Sequence, residues 1–273
     1  MMNKLTLVAL AAAALVLQSC CCPYCRIQRN NEKQMNALFG VATPRPVVEV
    51  AKCDGAITLD GKLDEPAWSK AKTYSMKTPY FGRDMPPKMK ASRDQERFEG
   101  AEVKYLCTKD TLYIGVKLQD SDVVQLGSDN QAHFYQQGDV VEVFLKAENA
   151  SPYWEIYGTP NNLKTTFRFS TRSCARADWG ELHPDFNCAA TVQGTLNNSR
   201  DQDGGWTIEF AFPFKMLEEF CGVPISNATP WTCLVARYNY NNANTGFQNS
   251  SVPMLPQPNY HLIEYYATLK LEE

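Results

Sequence analysis

From Thr111 to Leu118 the chain alternates: Leu112, Ile114, Val116 and Leu118 fall on one side of an extended segment, with Thr111, Tyr113, Gly115 and Lys117 on the other. Successive strand side chains point to opposite faces, so a period of two predicts a β-strand with one face in a core. Val141, Val143 and Leu145 repeat the pattern and leave Val140, Glu142 and Phe144 on the opposite face, where a ligand can be met. Trp154 pairs in phase with Ile156, and Phe167 with Phe169. Trp206, Ile208, Phe210 and Phe212 form the clearest run, and Leu234, Ala236, Tyr238 and Tyr240 continue it. Asp203-Gly204 precedes the Trp206 strand with the chemistry of a tight hairpin turn, pairing that strand with residues 191–196. Helical signals are confined to residues 65–71 and 213–220, each with a proline whose preset φ suits a helix start. Many strands and short helices only predict an all-β fold, an antiparallel β-sandwich of the jelly-roll or immunoglobulin-like kind. Trp68, Trp154, Trp206 and Trp231 read as packing residues.

The first residues follow a different rule. Met1-Met2-Asn3-Lys4 leads into an apolar and small run, residues 5–17, and then Gln18-Ser19-Cys20. A charged start, a short apolar core and a small residue before the cut describe an export signal, and the run falls short of the roughly 20 residues that cross a bilayer. Leu17-Gln18-Ser19-Cys20 resembles the bacterial lipobox, in which the cysteine thiol receives a diacylglycerol and becomes the new N-terminus. The division expected is a signal peptide over residues 1–19, a lipidated, flexible tether over 20–46 that ends in Thr43-Pro44-Arg45-Pro46, and one β domain over 47–273. The chain is then exported to the bacterial cell envelope, held by lipid at the outer membrane or cell surface.

A net charge of −3, without a basic cluster interleaved with aromatics, excludes nucleic acid as the partner. Cys22-Pro23-Tyr24-Cys25 matches the glutaredoxin redox motif, but it stands in a polar tether without the strand and helix that activate such a thiolate. Six further cysteines, Cys53, Cys107, Cys174, Cys188, Cys221 and Cys233, are an even number in an exported chain and predict three bridges among 15 pairings. Cys174–Cys188 and Cys221–Cys233 are the local choice, since each pair brackets a turn-rich stretch.

Residues 57–68, Ile-Thr-Leu-Asp-Gly-Lys-Leu-Asp-Glu-Pro-Ala-Trp, resemble the opening motif of the family 9 carbohydrate-binding modules. Leu112-Tyr113-Ile114-Gly115-Val116, Gly138-Asp139-Val140-Val141-Glu142-Val143-Phe144 and Gly204-Gly205-Trp206-Thr207-Ile208-Glu209-Phe210 follow in that family's order. A later strand, residues 231–240, resembles the one that carries an arginine, here Arg237, and the resemblance spans residues 47–273. It implies two packed antiparallel sheets, a sugar held between two aromatic side chains, and calcium in supporting loops.

The first aromatic implied falls just before the Asp-x-Val-Glu-x-Phe strand, which nominates Tyr135 for stacking, with Glu142 for hydroxyl bonding and Arg237 beside it. Where the second, a tryptophan, is expected stands Val252, and Trp179 is the substitute. Asp120, Asp122 and Asp129 make an oxygen-rich loop after a strand, suited to structural Ca²⁺. The expected function is non-catalytic carbohydrate binding, capturing poly- or oligosaccharide for degradation or uptake. Two alternatives stand beside it: a structural or adhesive surface lipoprotein that lost the sugar site, and a glycosidase using Asp139 and Glu142. Three positions apart on one strand, that pair projects to opposite faces, which disfavours joint attack on one bond.

Overall fold

The computed structural model describes residues 45–55, 57–79, 98–172, 174–175, 180–241 and 246–272. The signal peptide, Cys20, most of the tether and Trp179 lie outside them. The described residues are mostly β, with two short helices, α1 (Pro66–Lys70) and α2 (Phe214–Cys221), each within a residue of the segment its proline predicted.

The strands are β1 (Val47–Lys52), β2 (Tyr74–Ser75), β3 (Ala101–Cys107), β4 (Thr111–Leu118), β5 (Val140–Ala147), β6 (Tyr153–Gly158), β7 (Lys164–Thr171), β8 (Cys174–Ala175), β9 (Asn187–Val192), β10 (Trp206–Pro213), β11 (Trp231–Asn241), β12 (Gly246–Val252) and β13 (Ala267–Leu271). They form one large sheet in the order β8-β7-β6-β5-β11-β13-β1-β3-β4-β10-β9, with β12 on β11 and β2 on β3. The sheet nearly closes on itself: the turn after β6 reaches β9, where Ala190 N donates to Asn162 Oδ1 at 2.7 Å and Asn162 Nδ2 donates to Ala190 O at 3.2 Å.

The alternation read along the chain decides what fills the interior. Ile114 and Val116 of β4 and Ile208 and Phe210 of β10 meet Val141 and Val143 of β5 and Trp154 and Ile156 of β6 in one buried cluster. Burial of each such side chain stabilises by about 1.5–3 kcal/mol relative to exposure.

The purely antiparallel expectation needs correction, because β1 runs parallel to both neighbours, pairing Val47 with Thr268 of β13 and Lys52 with Cys107 of β3. β9 and β10 do pair, Val192 opposite Trp206. Their link is longer than a two-residue turn: Gly204 N donates to Gln193 O at 2.6 Å, and the Asp203 carboxylate accepts from Thr195 N and Val123 N at 2.7 Å each.

The opening motif docks on the outer side of β4 and β10. The Glu209 carboxylate accepts from Asp60 N at 3.1 Å, Gly61 N at 2.8 Å and the Trp68 indole at 3.0 Å. Gly61 has φ 78°, and a Cβ there would lie 2.6 Å from the Ala190 carbonyl carbon, so only glycine allows this approach.

The expected disulfides are absent: no bridge joins any two of the six described cysteines. Cys174 sits on β8 and Cys188 on β9, where Cys188 packs into the main interior cluster. Cys233 faces the interior opposite Leu145, and Cys221, in the same buried cluster, closes α2 with its thiol toward Pro152 O. Cys53 and Cys107 belong to separate buried clusters. These residues act as small apolar packing groups, and burial pushes the Cys188 and Cys221 thiols up to about 12.

Candidate functional site

Paired residues in neighbouring strands share a face, so the register places the ligand-facing candidates. Glu142 of β5 lies opposite Tyr157 of β6 and Ala236 of β11. Glu155 lies opposite Phe144, and Tyr238 opposite both Val140 and Asn249 of β12. One outer face therefore carries Glu142, Glu155, Tyr157, Tyr238 and Asn249, with Phe247 and Tyr240 paired farther along.

Tyr135 reaches this face from a 3-10 turn, Phe134–Gln136, whose Phe134 is fully buried. Its ring stacks on Tyr238 at 5.4 Å between centroids and 30° between planes. The Tyr240 hydroxyl donates to the Tyr135 carbonyl at 2.6 Å and so fixes the turn. Phe247, 46% exposed, continues the aromatic surface at 5.8 Å from Tyr238 and 4.9 Å from Tyr240. Gly138, φ 144°, lets the turn close against the Val124 carbonyl, which a Cβ would approach to 2.2 Å.

Beneath the rings lies a carboxyl pair. Glu142 is 2% exposed and its Oε1 has no hydrogen-bond partner. Burial holds its carboxyl well above the usual range, and the neighbouring Glu155 raises it further. Burial pushes Glu155 up to about 7, while the Tyr157 hydroxyl, donating to Glu155 Oε1, pulls the other way. His261 Nε2 stands 3.6 Å from Glu155 Oε2 and its Nδ1 shares a 2.8 Å hydrogen bond with Tyr153. Burial, with Arg172 nearby, brings this imidazole down to about 4.

The other nominated residues sit elsewhere. Arg237 projects from the opposite side of β11 and is fully buried, its guanidinium bonding Asp120 Oδ2 at 3.0 Å, Asn239 Oδ1 at 2.9 Å and the Glu99 carbonyl at 3.1 Å. It braces loops instead of facing a ligand. Asp120, which also accepts from the Trp206 indole at 3.3 Å, is thereby already matched with a cation. Asp122 is buried beside it, while Asp129 is exposed and accepts from Ser128. The three do not converge, and among the described residues no group of three or more His, Cys, Asp or Glu side chains is arranged to hold a metal. Asp139 accepts from Val124 N and Tyr240 N at 2.7 Å each, so it anchors backbone and does not join Glu142. Val252 is 5% exposed and faces Val235 in the interior, so the second aromatic does not come from that position.

Reading the residues alone missed Glu155, Tyr157, Phe247, Asn249 and His261, and left Tyr238 without a role. The signal was present for the first two: if Trp154 and Ile156 face the core, Glu155 and Tyr157 must face away.

Comparison with known proteins bears on this surface. The family model for the carbohydrate family 9 binding domain-like group matches residues 59–251. No curated protein matches the chain. A crystal structure of a candidate carbohydrate-binding protein from Bacteroides uniformis ATCC 8492 is similar in fold, with TM-score 0.62, 11% identity, and coverage of 83% of this chain and 99% of that one. A family 9 module from Caldicellulosiruptor kristjanssonii, solved with cellotriose, gives TM-score 0.51 at 15% identity over 82% of this chain and 93% of that one. From the opening motif on Glu209 to the Asp-x-Val-Glu-x-Phe strand that presents Glu142, the matched span takes in both the scaffold and the aromatic face, and the chain belongs to the carbohydrate family 9 binding domain-like family.

Proposed function

We propose that this protein is a non-catalytic carbohydrate binder, exported and lipid-anchored at Cys20, that captures a poly- or oligosaccharide at the cell envelope for degradation or uptake. The Tyr135–Tyr238 stack on the face that also carries Glu142 is the observation behind the reading. The apolar C–H face of a pyranose packs on aromatic rings, while carboxyl and amide oxygens bond the hydroxyls at its edge. Membership of a family of non-catalytic binding modules supports this, as does the cellotriose held by the Caldicellulosiruptor module. The two halves of the sheet, β4 and β10 against β5 and β6, are read as the layers of a sandwich.

Stacked rings and a few hydroxyl bonds give an expected dissociation constant of roughly micromolar to millimolar. Display on a membrane raises the effective affinity for a polymeric ligand. The test is a glycan array followed by calorimetry on the purified protein. Loss of a stacking contact is worth about 0.5–1.5 kcal/mol, so Tyr135→Ala should weaken the hits by up to about tenfold. Silence across the array from folded protein would sink the reading. Val252, packed inward where a second aromatic is expected, then favours a structural or adhesive lipoprotein. The anchor is tested separately: labelled palmitate should enter the chain, and Cys20→Ser should block it.

A further inference from the structure

Because β1 runs parallel to both of its neighbours, the three strands end together, at Lys52, Cys107 and Leu271. A cleft of about 680 Å³ opens there. Its size falls within the roughly 300–1,000 Å³ of small-molecule sites. Phe214, the half-buried first residue of α2, lines it together with Ile225 and Leu271 and gives it an apolar side. The walls are tied in place: Phe214 N donates to Asp110 O at 2.8 Å, and the Asn227 side chain bonds Leu271 N and O at 2.9 Å each.

The rest of the lining is polar and of both signs. Lys52 and Lys109 bring ammonium groups, and Asp54, Asp110 and Glu272 bring carboxylates. Among the described residues none of these five pairs with another, so donors and acceptors stand apart around one space. The Tyr113 hydroxyl, on a side chain otherwise buried, likewise has no hydrogen-bond partner among the described residues. An ion of either sign would meet like charge here. A hydroxyl group donates and accepts at once and suits both kinds of partner, while the C–H face of a pyranose suits the Phe214 ring.

We infer that this cleft is a second saccharide subsite, for a neutral oligosaccharide whose ring packs on Phe214 while its hydroxyls bond Lys109, Asp54 and the Tyr113 hydroxyl. The subsite is separate from the Tyr135 face and shares only its ligand class with the carbohydrate-binding reading above. The two lie at opposite ends of β11: the loop that carries Ile225 leads into Trp231, and Tyr238 is seven positions farther on, roughly 20 Å at the rise of a strand. Two short oligosaccharides therefore bind at once, and a polymer that reaches both sites gains a second attachment.

Amide chemical shifts of the purified protein, titrated with cellotriose and with the β-1,4-linked trimers of xylose, mannose and N-acetylglucosamine, test this. At least one trimer should move the amides of residues 108–110 and 225–227 along a saturation curve separate from that of the amides around Tyr135. Asp54→Ala and Lys109→Ala, both at exposed positions, should together weaken the cleft curve about tenfold or more and leave the other unchanged. Shifts confined to the Tyr135 face would overturn the second subsite and leave sugar binding there intact. Shifts confined to the cleft would support it and remove the Tyr135 assignment instead. An unaltered cleft curve in the double variant would overturn the subsite, and silence from every trimer would remove both sites.

Discussion

Arg237 Nη2 lies 3.0 Å from Asp120 Oδ2 with both side chains fully buried, joining the middle of β11 to the loop after β4. Removing one member of such a pair strands the other in a poor solvent. Arg237→Ala should therefore destabilise by about 3–5 kcal/mol, read as a lowered denaturant midpoint. A change that weakened sugar binding and left the midpoint untouched would mean that the guanidinium serves the ligand instead.

Glu209 bonds three donors of the opening motif, two backbone amides and the Trp68 indole. In Glu209→Ala these donors lose their acceptor, and each one left buried costs about 1–3 kcal/mol. Thermal unfolding should show a large drop in Tm, with sugar affinity unchanged in the protein that remains folded, because this carboxylate lies on the other half of the sheet from Tyr135.

Glu155 binds its proton up to about pH 7 in the folded chain, against an ordinary value of 4.5. Between those values the native state holds more protons than the unfolded one, so this group's contribution to stability is lost as pH rises through the window. His261 works in the opposite sense, its contribution lost as pH falls from 6.5 through about 4. Subtracting the Tm of the wild type from that of Glu155→Gln isolates the first effect. The difference should grow from pH 4.5 to above 7, and a flat difference would refute the buried-acid assignment.

With no bridge among the described cysteines, dithiothreitol should leave Tm unchanged. Non-reducing peptide maps should lack linked Cys174–Cys188 and Cys221–Cys233 peptides. In the native protein Cys188 and Cys233 should resist alkylation at pH 8, since burial raises both thiols far above that pH.

Much of the scaffold was legible because strands that bury one face must alternate, and Leu112 to Leu118 and Trp206 to Phe212 do so. The same rule put Glu142 opposite Val141. It could not show that β5 is buried on both faces, since that depends on what covers the outer side, here Tyr238, Tyr260 and Tyr266 from distant segments. Arg237 illustrates the converse: its strand was identified, yet one residue of phase turned it from a ligand contact into a brace. Cysteine parity failed for a simpler reason. An even count states only that pairing is permitted, whereas a bridge also requires two Cβ atoms turned toward each other, and Cys188 is packed into the interior cluster.

β1 lies between β13 and β3, hydrogen-bonded to the last strand of the chain on one side and to an early one on the other. Until Ala267 to Leu271 arrives, Val47 to Val50 has no partner along that edge and the sheet stays open through its middle. Closure is therefore a contact of the longest range the chain offers, and such contacts form slowly. A polypeptide emerging N-terminus first would stay open at this seam, with paired strands on both sides, until its final segment was delivered.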